Sequence, residues 1–277
     1  MWLLFFFNSV ANRRQNPSYR DFILGFYRGT AKFYNDKIKH TLNKNNMDKF
    51  RNLLFVSVFF VAPALVAGPI LNRRIVQEKR ETSKELLKAA SFASWKHRNQ
   101  TRKSVNKEPY IIHPLRVSEL VATLGGAGDN LPLLQAAVLH DTVEDTDTSF
   151  EELENVFGLK VRRLVEEVSD DKSLAKEERK RLQIEHAAKK SNEGKILSMA
   201  DKVANLEDLL TRPNGEGIPL GWTVDRIQGY CAWALSVAQG LKGQSEELDR
   251  RLRELVSGEF TYVDGKRYPA LPKSGIK

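Results

Sequence analysis

Cysteine is almost absent from this sequence: Cys231 is the only one in 277 residues. A single cysteine cannot form an intramolecular disulfide, which excludes a disulfide-stabilised scaffold and a cysteine-rich zinc module and is typical of a reducing compartment. The alternation of apolar and polar residues that marks half-buried strands is also missing. Glycine and proline occur at ordinary levels, with 17 and 10 residues, which indicates a globular chain.

A basic folded domain is lacking too, although the chain has a formal net charge of +9. Residues 1–80 contain 14 Lys or Arg against 4 Asp or Glu, which leaves 30 basic and 31 acidic residues in the rest of the chain. A nucleic-acid-binding domain needs a basic face. We therefore expect no nucleic-acid partner, and nothing in the sequence indicates an obligate protein partner.

Residues 1–80 have the composition of an N-terminal extension rather than of a domain. Within it, residues 53–71 form an uncharged apolar run of 19 residues, just long enough to span a bilayer, although two prolines and a glycine interrupt it. From Met47 onward, the same stretch is similar to a secretory signal. A membrane anchor, a cleaved signal and a segment absent from the natural protein all stay open as interpretations.

From residue 82 onward, apolar residues recur with helical periodicity. Thr82 with Glu85, and Ser149 with Glu152, match the capping-box pattern of a helix start. Prolines suit the first turns of two more helices, and further helices are predicted at 176–190, 195–210, 224–242 and 245–256. The expected fold is all-α, a bundle of roughly eight to ten short helices over 82–256 with a flexible tail at 257–277. We expect core positions for Trp95, Trp222 and Trp233.

Two histidines and two aspartates stand where such helices begin, end or face the core. They are His113 at a helix start, the adjacent pair His140 and Asp141 at the end of an apolar helix, and Asp201 on a later helix. Imidazole and carboxylate donors together favour Mn, Fe or Zn over Ca or Mg. The alternative is that His113 caps its helix and that Asp201 forms a surface ion pair with its neighbour Lys202.

Glu144 lies four residues after His140, so a continuing helix would place its carboxylate one turn from the imidazole. Crowding by Asp141 and Asp145 would raise the pKa of that carboxyl toward the range useful for acid–base catalysis. The alternative is an acidic, solvated loop after a helix end.

Longer strings around these residues resemble the hydrolase domain of RelA/SpoT proteins, within the HD-domain metal-dependent phosphohydrolases. The strings are LHDTVEDT (139–146), VRRLVEEVSDDK (161–172) and ERKRLQ (178–183). The resemblance covers about residues 84–256 and is strongest to the small stand-alone animal branch. Two segments are particular to this chain: the loop 103–109, and 211–219 with its extra Gly and Pro.

The resemblance implies an all-α, Mn²⁺-dependent enzyme that hydrolyses guanosine 3′,5′-bis(diphosphate), ppGpp, to GDP and pyrophosphate. Because such a substrate is intracellular, we expect a catalytic domain that faces the cytoplasm, with or without a membrane anchor. The implied metal ligands are His113, His140, Asp141 and Asp201. The implied catalytic residues are Glu144 and Asp145, for the attacking water and the leaving-group proton, and Asn205, for positioning the water or a phosphate. The implied nucleotide contacts are Arg102, Lys103, Arg226 and Tyr230.

Two other functions stay open at this point. The same site could remove the 2′-phosphate of NADPH, an activity associated with the animal branch. A catalytically silent HD domain, tethered to a membrane through residues 53–71, would act as a nucleotide sensor. The interpretation as a catalytically silent domain predicts that a metal ligand or the Glu144–Asp145 pair is lost. All of these residues are present.

Overall fold

The computed structural model describes residues 62–272 of the chain. Most of the N-terminal extension lies outside the described residues, and so do positions 53–61 of the apolar run. The anchor and signal interpretations of that run therefore stay predictions. In the stretch that the structure describes, no helix is both long enough and apolar enough to cross a membrane.

The chain divides into two compact units, Met1–Val76 and Gln77–Lys277. The described part of the first unit is helical. The domain predicted at 82–256 lies inside the second unit, which also contains every side chain discussed below.

Ten α-helices lie within residues 62–272, so the prediction of an all-α bundle of roughly eight to ten helices is confirmed. They are α1 (Ala62–Lys96), α2 (Ile112–Thr123), α3 (Leu131–Leu139), α4 (Thr142–Asp145), α5 (Phe150–Phe157), α6 (Leu159–Val168), α7 (Lys176–Ala187), α8 (Asn192–Thr211), α9 (Val224–Leu241) and α10 (Glu246–Ser257). A short 3-10 helix (Pro213–Gly215) and two strands, β1 (Glu259–Thr261) and β2 (Arg267–Pro269), complete the described elements.

Helix α8 is the central element of the second unit, because it packs against α2, α6, α9 and α10. Eleven of its 20 residues are buried. A helix surrounded in this way has little solvated surface, so each polar side chain along it must find a partner. Helix α3 is still more apolar, with every residue from Leu133 to Leu139 buried, and it packs against α2 and α6.

The predicted cap at Ser149 is present, since its hydroxyl accepts a hydrogen bond from the backbone N–H of Glu152 at 3.0 Å. The side chain of Glu152 does not complete the box, because it pairs with Lys96 at 3.0 Å. The predicted helix start at Thr82 is wrong. Thr82 lies inside α1, and its hydroxyl donates to the carbonyl of Glu78 one turn earlier.

Two further expectations are corrected. The flexible tail predicted at 257–277 is wrong over residues 259–269, which form an antiparallel hairpin with Phe260 fully buried. Each strand is only three residues long, too short for an alternating pattern to reveal. The core position expected for Trp95 is also wrong: its side chain is 66% exposed and stacks with Arg98 at 4.2 Å. Trp222 and Trp233 are partly buried against the core.

Candidate active site

Three separate parts of the bundle bring the predicted metal ligands together. His113 is the second residue of α2, and Asp201 lies near the middle of α8. His140 and Asp141 occupy the junction where α3 ends and α4 begins. The buried residues of α3 fix that junction against α2, so the histidine and the aspartate turn together toward α8.

The four side chains converge on one point. Nε2 of His113 lies 3.1 Å from Asp201 Oδ1 and 3.7 Å from Asp141 Oδ2. Nε2 of His140 lies 3.1 Å from Asp141 Oδ2 and 3.8 Å from Asp201 Oδ1. Candidate ligand atoms of His113, His140 and Asp201 all lie within 4.8 Å of one another. We call these four residues the His–Asp cluster.

The donor chemistry of the His–Asp cluster suits a divalent metal ion. Nδ1 of His140 lies 2.8 Å from the carbonyl oxygen of Ala137, which accepts a hydrogen bond from the Nδ1–H and leaves Nε2 as the nitrogen that can bind a metal ion. Both imidazoles are buried, so the two carboxylates beside them need a cation as a partner. Nitrogen and oxygen donors together are typical of Mn, Fe or Zn sites.

Without a metal ion, protonated histidine takes the place of that cation. Burial alone would lower the pKa of His140, but Asp141 and Asp201 outweigh it and raise the pKa to about 9. Burial would raise the pKa of Asp141, yet His140 holds it well below its ordinary value. The pKa of Asp201 is likewise lowered, against its burial, by Lys202 and His113.

Three neighbours fix the orientation of the two carboxylates. The hydroxyl of Tyr110 donates to Asp141 Oδ2 at 2.5 Å, and burial together with Asp141 raises the pKa of that phenol, so it stays a donor. Lys202 donates to Asp201 Oδ2 at 2.8 Å, and the amide of Asn205 donates to Asp201 Oδ1 at 2.7 Å. The predicted Asp201–Lys202 ion pair therefore exists, but it is buried rather than at the surface.

Glu144 and Asp145 lie beside the cluster on the short helix α4. Burial raises the pKa of Glu144. Its carboxylate accepts a hydrogen bond from the backbone N–H of Asp170 at 2.7 Å. Lys172 bridges the pair, with its ammonium 3.1 Å from a carboxylate oxygen of each residue.

Two depressions open on either side of these residues. The first, of about 520 Å³, contains the His–Asp cluster together with Glu144, Lys202 and Lys190, and we call it the His–Asp cleft. The second, of about 530 Å³, is lined by Arg102, Lys103, Asp145, Lys172, Trp222 and Tyr230, and we call it the Arg102 pocket. Tyr110 and Asn205 line both.

Comparison with known proteins identifies the family. An HD domain family model matches residues 89–214. The Xenopus tropicalis protein guanosine-3′,5′-bis(diphosphate) 3′-pyrophosphohydrolase MESH1 is 50% identical over 167 residues, covering 60% of this chain and 90% of that protein. The chain belongs to the MESH1 family.

Other MESH1 proteins and a solved structure agree. The Homo sapiens MESH1 is 48% identical over 171 residues, covering 62% of this chain and 92% of that protein. The Drosophila melanogaster MESH1 is 44% identical over 173 residues, covering 62% of this chain and 93% of that protein. A solved structure described as a metazoan ortholog of SpoT that hydrolyzes ppGpp is 44% identical, with a TM-score of 0.58, and covers 62% of this chain and 93% of that one.

Three of the four predicted nucleotide contacts surround one depression of this MESH1-family site. Arg102, Lys103 and Tyr230 line the Arg102 pocket. Arg226 does not line either depression: it is exposed, and its guanidinium stacks on Trp222 at 4.6 Å. Its spacing from Tyr230 on α9 places both one turn apart, but only Tyr230 faces the pocket.

Sequence reasoning gave no site role to four residues that the structure places in contact with the predicted ones: Tyr110, Lys202, Asp208 and Arg212. Asp208 lies seven residues after Asp201 and three after Asn205, so helical spacing alone places all three on one face of α8. Arg212 follows Asp208 by four and could have been found in the same way. For Tyr110, only the folded contact reveals the partner, whereas the pairing of Lys202 with Asp201 was expected from the sequence and only its burial was not.

Proposed function

We propose that this protein is a metal-dependent hydrolase that converts ppGpp and water to GDP and pyrophosphate. The observation that carries the proposal is that the His–Asp cluster lies in a cleft that shares Tyr110 and Asn205 with a second depression. A nucleoside with a pyrophosphate on its ribose has two parts of this kind, one to be bound and one to be cleaved. The MESH1 relatives are named for this activity.

His113, His140, Asp141 and Asp201 would hold the metal ion, and we propose Mn²⁺ because the donors are two imidazoles and two carboxylates. A divalent ion supplies two things when bound: it lowers the pKa of a water molecule, and it neutralises charge on a phosphate oxygen. The side chains around the metal site carry out the proton transfers and bind the substrate.

Glu144 is the group that accepts the proton of the attacking water. It lines the His–Asp cleft, and its raised pKa brings it closer to neutral pH, where a general base is most effective. The backbone N–H of Asp170 and the ammonium of Lys172 fix both of its oxygens. A carboxylate held at both oxygens is preorganised and loses little freedom in the transition state.

Asp145 delivers a proton to the departing ribose oxygen. It lines the Arg102 pocket rather than the His–Asp cleft, so its carboxyl lies on the side where the nucleoside remains after cleavage. Lys172 contacts both acids and holds them 3.1 Å from one ammonium. The pair thus divides the two proton transfers between the two sides of the scissile bond.

Arg102 and Tyr230 bind the nucleoside, with Lys103 at the edge of the same pocket. The Arg102 guanidinium lies 5.8 Å from the Tyr110 ring, and a planar guanidinium beside aromatic rings suits a purine. Asn205 lines both depressions, so its amide can position a phosphate or the attacking water beside Asp201.

The test is product analysis with purified full-length protein. With Mn²⁺, ppGpp should yield equal amounts of GDP and pyrophosphate, and chelation should abolish the reaction. Glu144→Gln serves as the paired variant and should bind Mn²⁺ with strongly reduced turnover. Release of orthophosphate from NADPH, with no pyrophosphate from ppGpp, would overturn the proposal.

We further propose that the catalytic domain faces the cytoplasm, because the proposed nucleotide substrate is intracellular. Attachment to a membrane through residues 53–71 stays a prediction. Fractionation of cells that express the full chain, beside a variant lacking residues 1–80, tests both statements. Recovery of the full chain outside the cell would contradict the first.

A further inference from the structure

The two segments particular to this sequence meet at the mouth of the Arg102 pocket. The backbone N–H of Leu220, just after the segment 211–219, donates to the carbonyl of Lys103 at 3.1 Å. The loop 103–109 is closed at its base by the N–H of Arg102, which donates to the carbonyl of Glu108 at 2.8 Å. The two segments therefore form one joined rim.

The part of the rim around Gly217 packs closely against the end of α8. A Cβ added at Gly217 would lie 1.6 Å from the carbonyl oxygen of Asp208, so no other residue fits there without moving the backbone. This close approach places the segment directly over the Asp208 side of α8. The extra glycine of this segment thus has a packing reason.

Arg212 connects the rim to α8. Its Nε and one terminal nitrogen donate to Asp208 Oδ1 at 3.0 and 2.8 Å. Its other terminal nitrogen donates to Glu108 in the loop. Two charge-assisted hydrogen bonds thus hold Asp208 Oδ1 in place and leave Oδ2 available to another donor.

The second oxygen of that carboxylate holds Arg102. Asp208 Oδ2 accepts a hydrogen bond from Arg102 at 2.7 Å, and the same nitrogen of Arg102 donates to Asn205 Oδ1 at 3.2 Å. The amide nitrogen of Asn205 then faces Asp201. A continuous chain of polar contacts therefore runs from the rim to a residue of the His–Asp cluster.

We propose that Arg212 is a positioning residue for nucleotide binding, which fixes Arg102 through Asp208 and holds the two rim segments together through Glu108. The identity of the nucleotide rests on the proposed function. Loss of Arg212 leaves the Asp208–Arg102 contact in place but removes what aligns it, so binding should weaken more than turnover.

The first experiment compares Arg212→Gln with the unchanged full-length enzyme loaded with Mn²⁺. We expect the KM for ppGpp to rise about tenfold while kcat stays within about twofold. Arg116→Gln is the matched control. Arg116 contacts Glu207 on α8 with two nitrogens, at 3.1 and 2.7 Å, and a second acid with its third, yet lines neither depression. Its KM should not change, and an unchanged KM for Arg212→Gln would overturn the inference.

A second variant keeps the test decisive if Arg212→Gln does not fold. Glu108→Gln weakens the Arg212–Glu108 contact from the side of the loop 103–109 and should also raise the KM for ppGpp. Where both singles fold, the double variant should have a KM no higher than that of Arg212→Gln alone, because the two changes break one link. Fully multiplicative effects on KM would contradict a shared link.

Calorimetric titration with GDP separates this inference from the proposed function. An unchanged protein that binds GDP but releases no pyrophosphate overturns the function alone, and weaker GDP binding by Arg212→Gln then still supports the positioning role. An unchanged protein that hydrolyses ppGpp, with equal KM in Arg212→Gln, overturns the positioning role alone.

Discussion

The substitution Asp201→Asn separates the structural role of the His–Asp cluster from its chemical role. Asparagine keeps the size of the side chain but removes the negative charge that faces His113 and Lys202. Lys202 then loses the carboxylate 2.8 Å away, while its own side chain is only 10% exposed. Leaving one member of a buried ion pair unpartnered costs about 3–5 kcal/mol.

That cost converts into a measurable change in Tm. In a domain of this size, each kcal/mol shifts Tm by about 2–4 °C, so the variant should melt about 6–20 °C lower in chelator. The double variant Asp201→Asn with Lys202→Met removes the stranded charge. Methionine is apolar and suits the contact with the Trp233 ring, 5.0 Å from the ammonium, so most of the lost Tm should return.

Metal binding and turnover should not return with it. Mn²⁺ at about one hundred times its Kd should stabilise the unchanged protein by about 2.7 kcal/mol, or about 5–11 °C in Tm. Neither variant should show this rise or release pyrophosphate. The assay is a thermal melt in chelator and in Mn²⁺, paired with product analysis. A full Mn²⁺ response in Asp201→Asn would refute its role as a ligand, and an unchanged Tm in chelator would refute the charge argument.

Three further predictions follow from the same contacts. In chelator, the free energy of unfolding should fall by about 3 kcal/mol as the pH rises from about 6.5 to about 9, which thermal melts across this range measure. Asp141 and Asp201 raise the pKa of His140 to about 9 against its burial. The ion pairs therefore stabilise the folded protein only while the His140 ring is protonated. Glu144→Gln should lower kcat by about 10²–10⁴ and keep the Mn²⁺-dependent rise in Tm. Ser149→Ala should cost about 1 kcal/mol through the lost N–H contact of Glu152, seen in a melt, with unchanged turnover.

Each of these has its own control. Mn²⁺ should remove the pH-dependent loss of stability, because a metal-bound imidazole carries no proton at Nε2; a loss that persists with metal would contradict the assignment to His140. Turnover by Glu144→Gln within tenfold of the unchanged enzyme would exclude it as the base. A loss of turnover in Ser149→Ala would show that the cap of α5 affects the site.

Local sequence patterns predicted the structure correctly where contacts between residues close in sequence determine it. Ser149 caps its helix as predicted, and the helices expected at 176–190, 195–210, 224–242 and 245–256 appear at Lys176–Ala187, Asn192–Thr211, Val224–Leu241 and Glu246–Ser257. The start at Thr82 failed because a threonine inside a helix can donate to the preceding turn instead of capping. The hairpin at 259–269 escaped because its stability comes from burying Phe260, which no local pattern shows.

Residue identity and order along the chain determined the helical class and the four members of the His–Asp cluster, since helix formation and donor type are properties of short segments. The tertiary structure decided which side chains share a depression: it brought Tyr110 to Asp141, stacked Arg226 on Trp222, and joined Arg212 to Glu108 across the rim. The Tyr110–Asp141 and Arg212–Glu108 contacts link residues far apart in sequence, and they exist because the helices next to them pack in one arrangement. The direction of each polar side chain follows from that packing.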